Sequence, residues 1–163
     1  MKSAKKIAAL GLASALAVAV AGSWVANRIL LREGEPAPRF AGTILSEPSD
    51  AILKRACFDC HSNETRWPWY SYLPPVSSLI VWDVADARSH VNFSRWDQLA
   101  VDKQGKLARK MIEEVTDDSM PLPRYLWLHQ DAVVTDAELT QLKSDVLAKY
   151  GEGPVHDHED DED

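Results

Sequence analysis

The residues best suited to chemistry are Cys57 and Cys60, three apart, with His61 directly after them in the run Ala56-Cys57-Phe58-Asp59-Cys60-His61. On one helical turn, two thiols at this spacing can reach the two vinyl groups of a single porphyrin as thioethers, and the imidazole that follows is carried beneath the iron. Histidine suits that place because it binds as a neutral donor while its other ring nitrogen is oriented by an acceptor. The run therefore predicts one covalently attached haem c, with Cys57 and Cys60 as tethers and His61 as the proximal iron ligand. Competing chemistries lack parts. A structural zinc site needs four protein ligands, and the chain holds two cysteines in all. A thioredoxin-like dithiol needs a βαβ context that these flanks do not offer, and a plain disulfide leaves His61 without a role. Chance placement of two cysteines and five histidines gives this pattern on the order of a few times in ten thousand, a counting estimate for the motif.

A haem of this kind usually takes a second axial ligand, and the candidates are Met111, Met120, His90 and His129. Met120 leads, because it lies in the proline-rich stretch Ser119-Met120-Pro121-Leu122-Pro123 between two helical patterns. A loop held out by prolines can present a thioether to iron, and methionine ligation raises the reduction potential. Met111 falls at apolar spacing within a helix and reads as packing. His90 and His129 stand as the bis-histidine alternative.

The elements that must position these residues read as helices. Ser49 is placed to cap a helix through Asp50–Arg55 into the cysteine motif, and Ser62–Thr65 turns the chain. Trp67-Pro68-Trp69-Tyr70 supplies an aromatic cluster expected to wall the haem from water. From Pro75 to Val91, residues Val76, Leu79, Ile80, Val84 and Ala87 recur at helical intervals. Ser94 is expected to cap a short turn at Arg95–Asp97, and Leu107, Met111, Ile112 and Val115 mark a helix ending near Asp117. Thr135-Asp136-Ala137-Glu138 is a capping box opening a last helix, with Leu139, Leu142, Val146 and Leu147 on one face and a stop at Gly151. No stretch alternates as a strand would, so the expected class is all-α.

Length and charge bound the rest. The 163 residues carry a net charge of −7, which divides unevenly. Residues 1–32 hold five basic and no acidic groups, residues 33–151 hold 13 basic and 18 acidic, and residues 152–163 hold seven acidic and no basic. An acidic central segment argues against nucleic acid, whose phosphates demand a basic face. Lys2, Lys5 and Lys6 precede an uncharged run from Ile7 to Ala26, which reads as an export signal, either a cleaved leader or an uncleaved anchor. Lys2, Lys5 and Lys6 on the inner side fix the orientation in either case, so the remainder is expected in the periplasm. The expected division is therefore 1–31 signal or anchor, 32–45 linker, 46–150 haem-binding domain and 151–163 acidic tail. His156 and His158 in that tail sit among carboxylates, a metal-capable composition, although a solvated tail is the simpler reading.

The residue blocks Cys57–Thr65, Trp67-Pro68-Trp69-Tyr70-Ser71, Pro75-Val76-Ser77 and Val91-Asn92-Phe93-Ser94-Arg95-Trp96 together resemble the bacterial haem-binding domain family, small exported cytochrome-like proteins. Met120-Pro121, Tyr125 and His129 also fit its pattern, so the resemblance covers roughly residues 45–150. Ser78 and Ala87 depart from it, where an aromatic residue and a glycine are usual. The order of elements looks like a class I cytochrome c fold around one haem. The resemblance does not name a reaction. The expected function is single-electron transfer by His/Met-ligated iron, with redox proteins bearing a basic docking face as partners, and the membrane too if the N-terminal segment stays uncleaved. A peroxidase-type enzyme, using His90, His129 or Arg124 at an open distal site, and a haem-based sensor or assembly subunit are the alternatives.

Overall fold

The structure is a computed structural model that describes residues 2–32 and 42–153. The expected linker and the acidic tail, including His156 and His158, fall mostly outside the described residues. Every regular element among the described residues is helical, as the missing alternation in the sequence implied.

The chain divides into two units, residues 1–36 with 66–86 and residues 37–65 with 87–163. In the first, α1 runs from Lys2 to Arg32 and a 3₁₀ turn from Trp69 to Tyr72. Trp24 meets Tyr72 edge-on, with ring centroids 6.2 Å apart. Among the described residues no helix is long and apolar enough to cross a membrane. Trp69 is 75% exposed, so it does not close the apolar wall expected of the aromatic cluster. A 3₁₀ turn has three residues per turn, which points consecutive side chains apart. Helix α4, Val76–His90, begins here. Its inward stripe is Ser77, Val84 and Ala87, all buried, with Ile80 partly buried, while Val76 and Leu79 are exposed, so the buried face is offset from the one the apolar residues suggested.

In the second unit, α2 spans Glu47–Ala56 and α3 Phe58–His61. The cap of α2 is Ser46, not Ser49. Its hydroxyl accepts the Ser49 N–H, and Pro48 in the first turn loses nothing by lacking an N–H there. Ser49 turns its own hydroxyl to Asp145 Oδ2 at 2.6 Å, where Ser46 Oγ also donates. Asp50 accepts the N–H groups of Ile44 and Leu45, both at 2.9 Å, folding the preceding turn onto the helix start. A 3₁₀ turn, Phe93–Gln98, follows α4 and is capped by Asn92 rather than Ser94. The Ser94 N–H donates to Asn92 Oδ1, and the Ser94 hydroxyl is used elsewhere.

Helix α5 (Val101–Thr116) packs against α7 (Asp136–Tyr150), with the short α6 (Pro123–Leu126) and a 3₁₀ turn (Gln130–Ala132) between them. Gly105 permits the close approach: a Cβ there would lie 3.3 Å from Tyr150 Cβ. The capping box at Thr135 and Glu138 forms as the sequence implied, and Gly151 takes a φ of 68° after the last turn. Ile44, Ile52, Leu53, Phe93, Trp96, Ala108, Leu142 and Val146 form the buried core of this unit. Leu147 is 52% exposed, so the buried face of α7 is narrower than expected.

Candidate functional site

Helix α2 brings the chain to the motif. The Cys57 N–H donates to Leu53 O at 2.8 Å, prolonging the helical bonding by one residue. Cys57 then bends, with φ −122° and ψ −33°, and its carbonyl accepts from the N–H groups of Cys60 and His61 at 3.2 and 2.9 Å. That turn sets Cys57, Cys60 and His61 at i, i+3 and i+4, the spacing that faces one side of a helix. The two cysteines are not disulfide-bonded, and both are partly buried.

Burial pushes the Cys57 thiol up to about 12, with Cys60 adding to the shift and Arg55 opposing it. A neutral thiol suits addition to a vinyl group. A thiol held neutral in this way is a poor nucleophile for disulfide exchange. Among the described residues no cluster of three or more His, Cys, Asp or Glu could hold a metal ion.

His61 is held from behind. Its Nδ1 lies 3.0 Å from the Ala87 carbonyl oxygen and 3.3 Å from that of Val91. Carbonyls only accept, so Nδ1 carries the proton and Nε2 the lone pair. Phe93, 2% exposed, stands edge-on to the imidazole at 6.2 Å and stacks on Phe58 at 5.3 Å, between the two cysteines.

The segment after His61 is tied to the same elements. Ser62 Oγ donates to Phe58 O and accepts the Glu64 N–H, at 2.8 and 2.9 Å. The Asn63 N–H donates to Ser94 Oγ, and Asn92 Nδ2 donates to Asn63 Oδ1, each at 2.9 Å. Arg88 donates from Nε to Ser62 O at 2.9 Å and from Nη2 to Thr65 Oγ1 at 2.8 Å. Burial lowers the Arg88 guanidinium from its ordinary value, and the Cys60 sulfur opposes that shift. Asn63 Nδ2 is buried with no protein acceptor. An unmet donor of that kind costs about 1–3 kcal/mol unless a bound group supplies the acceptor.

Met120 follows a reversal at the end of α5. Asp118 adopts a φ of 56°, and Glu114 O accepts the N–H groups of both Ser119 and Met120 at 2.9 and 3.0 Å. Met120 is partly buried. Three residues into α6, Tyr125 Oη donates to Asp59 Oδ2 at 3.1 Å, joining this segment to the turn between the cysteines. The Tyr125 ring stacks on His129, with centroids 4.1 Å apart and planes 11° from parallel. His129 is partly buried, whereas His90 is exposed at the end of α4. Asp59 drew no notice in the sequence, since nothing local marks a carboxylate whose partner is 66 residues away.

A family model of the haem-binding domain matches residues 36–146. The chain belongs to the haem-binding domain family. No curated protein and no solved structure matches it. The haem-binding domain thus covers the cysteine motif, the Met120 segment and most of α7. Two features within it fit a haem: a partly buried pair of cysteines without a disulfide, and an imidazole with its Nδ1 engaged.

Proposed function

We propose that this haem-binding domain is an exported c-type cytochrome that passes single electrons. Cys57 and Cys60 hold the haem as thioethers, His61 is the proximal ligand and Met120 the distal one. The observation that carries this reading is the pair of carbonyls behind His61: they commit Nδ1 to donation and leave Nε2 as the metal-binding nitrogen. A haem bound there supplies one-electron oxidation and reduction at its iron.

The protein's own part is to orient and shelter. Ala87 O and Val91 O fix the imidazole plane, and Phe58 and Phe93 keep water from its flank. His90 is exposed at the end of α4, between the two residues whose carbonyls hold Nδ1, which argues against it as the distal ligand. The Met120 segment and His129 reach the cysteine turn through Tyr125, which favours Met120 with His129 as its alternate. The overall arrangement of helices is read as class I cytochrome c-like. Export follows from the basic start and apolar run of residues 1–26, retained as an anchor or removed as a leader. A net charge of −5 over residues 33–151 favours a redox partner with a basic docking face.

The test is a pyridine haemochrome and an oxidised and reduced spectrum of protein made in a host that matures c-type cytochromes. Covalent haem with a methionine-to-iron charge-transfer band is expected, and Met120→Ala should abolish the band and lower the potential. Absence of covalent haem overturns the proposal, and a band that survives Met120→Ala moves the sixth position to another residue.

A further inference from the structure

We infer that Tyr125 is a positioning residue, whose hydrogen bond to Asp59 latches the Met120 segment onto the turn carrying Cys57, Cys60 and His61 and so governs how readily Met120 yields its place to an external ligand. This rests on the His61 and Met120 ligand pair proposed above.

The segment needs such a fastening. Helix α6 has four residues, none of them buried. Just beyond it, Trp127 and Leu128 are 79% and 69% exposed. Met120, Leu122, Tyr125 and Leu126 are only partly buried, so apolar packing alone does not fix this stretch. At its start, the Ser119 and Met120 N–H groups are tied to Glu114 O. At its far end, the Tyr125 phenol ties it across the fold to Asp59. Asp59 is the right anchor because it lies between the two cysteines, so its backbone moves only with the turn that bears the proximal ligand. The stack on His129 narrows the positions the Tyr125 ring can take, which aims the hydroxyl at the carboxylate before the bond forms.

Breaking the latch should leave the covalent haem and the fold in place but loosen the distal side. A hydrogen bond to a carboxyl acceptor is strong enough that its loss should raise the affinity for a competing ligand about tenfold. The experiment titrates imidazole into the ferric full-length holoprotein and follows loss of the methionine-to-iron band in wild type, Tyr125→Phe, Asp59→Ala and the double variant. Each single change should tighten imidazole binding about tenfold, and the double variant should bind no tighter than the singles. Amide exchange at Met120, Leu122, Arg124, Tyr125 and Leu126 should quicken in Tyr125→Phe while the melting temperature stays within a few degrees. Unchanged imidazole affinity in Tyr125→Phe, or additive effects in the double variant, overturns the latch alone. Failure of wild type to carry covalent haem, or a band that persists in Met120→Ala, overturns the ligand pair and the latch with it.

Discussion

Phe93 links the core of the second unit to the proximal side of the proposed haem, and its removal tests whether that link carries weight. The ring is 2% exposed, stacks on Phe58 at 5.3 Å and 15°, meets Trp96 at 5.7 Å and stands edge-on to His61. Phe93→Ala strips a whole buried ring, which should cost about 3–5 kcal/mol. Phe93→Leu keeps most of the apolar volume but forfeits two aromatic pairs at about 0.5–1.5 kcal/mol each, so a loss of about 1–3 kcal/mol is expected. With a urea slope of about 1.5 kcal/mol per molar, the alanine variant should unfold at least about 2 M earlier and the leucine variant about 1 M earlier. Urea titrations followed by far-ultraviolet circular dichroism measure both. The proximal link adds a second readout: the alanine variant should broaden or shift the hyperfine-shifted imidazole resonances of His61, since its edge contact is gone. Losses below about 0.5 kcal/mol in both variants, with the imidazole signals unmoved, would refute the reasoning that Phe93 joins core stability to ligand orientation.

Two further outcomes follow from the charged groups. Hydrogen bonds from Ser46 and Ser49 hold the Asp145 carboxyl below the usual carboxylate range, and the Thr135 backbone N–H, helped by Arg55, does the same for Glu138. Such groups stabilise the fold fully above the ordinary carboxylate pKa, and that stability is lost as pH falls through the lowered folded values. Because Asp145 is partly exposed, Asp145→Asn should cost only about 1 kcal/mol near pH 7 and should flatten the decline in urea midpoint between about pH 5 and pH 3; an unchanged pH profile would count against the serine bonds. For the proposed electron transfer, the rate to a basic redox partner should fall as ionic strength rises past about 0.1 M, where the screening length is about 10 Å. A stopped-flow rate independent of salt would remove the charge argument for that partner.

Several features of the site could be read before any coordinates, and they share a cause. Cys57, Cys60 and His61 fall on one face because a single helical turn maps i, i+3 and i+4 onto neighbouring positions whatever surrounds it. The capping box at Thr135 and the stop at Gly151 are equally local, each made by residues within one turn of the helix end. Where local reasoning erred, a more distant partner had intervened. Ser49 is a fair cap by type, but its hydroxyl is claimed by Asp145, 96 residues away, and the cap shifts to Ser46. Ser94 likewise gives its hydroxyl to the Asn63 N–H, and Asn92 caps the turn. On α4, apolar type alone pointed to Val76 and Leu79, while packing chose the stripe beginning at Ser77.

The amino-acid sequence by itself determined the Cys57, Cys60 and His61 spacing, the helical class and the family, because each is written in residues close together along the chain or in their periodicity. Tertiary structure alone decided which carbonyls meet His61 Nδ1, where Tyr125 finds Asp59, and that Asn63 keeps a buried donor without a protein partner. Those pairings span 26 to 66 residues. A side chain's partner at that distance is set by how helices pack against one another, and no periodicity along the sequence encodes it.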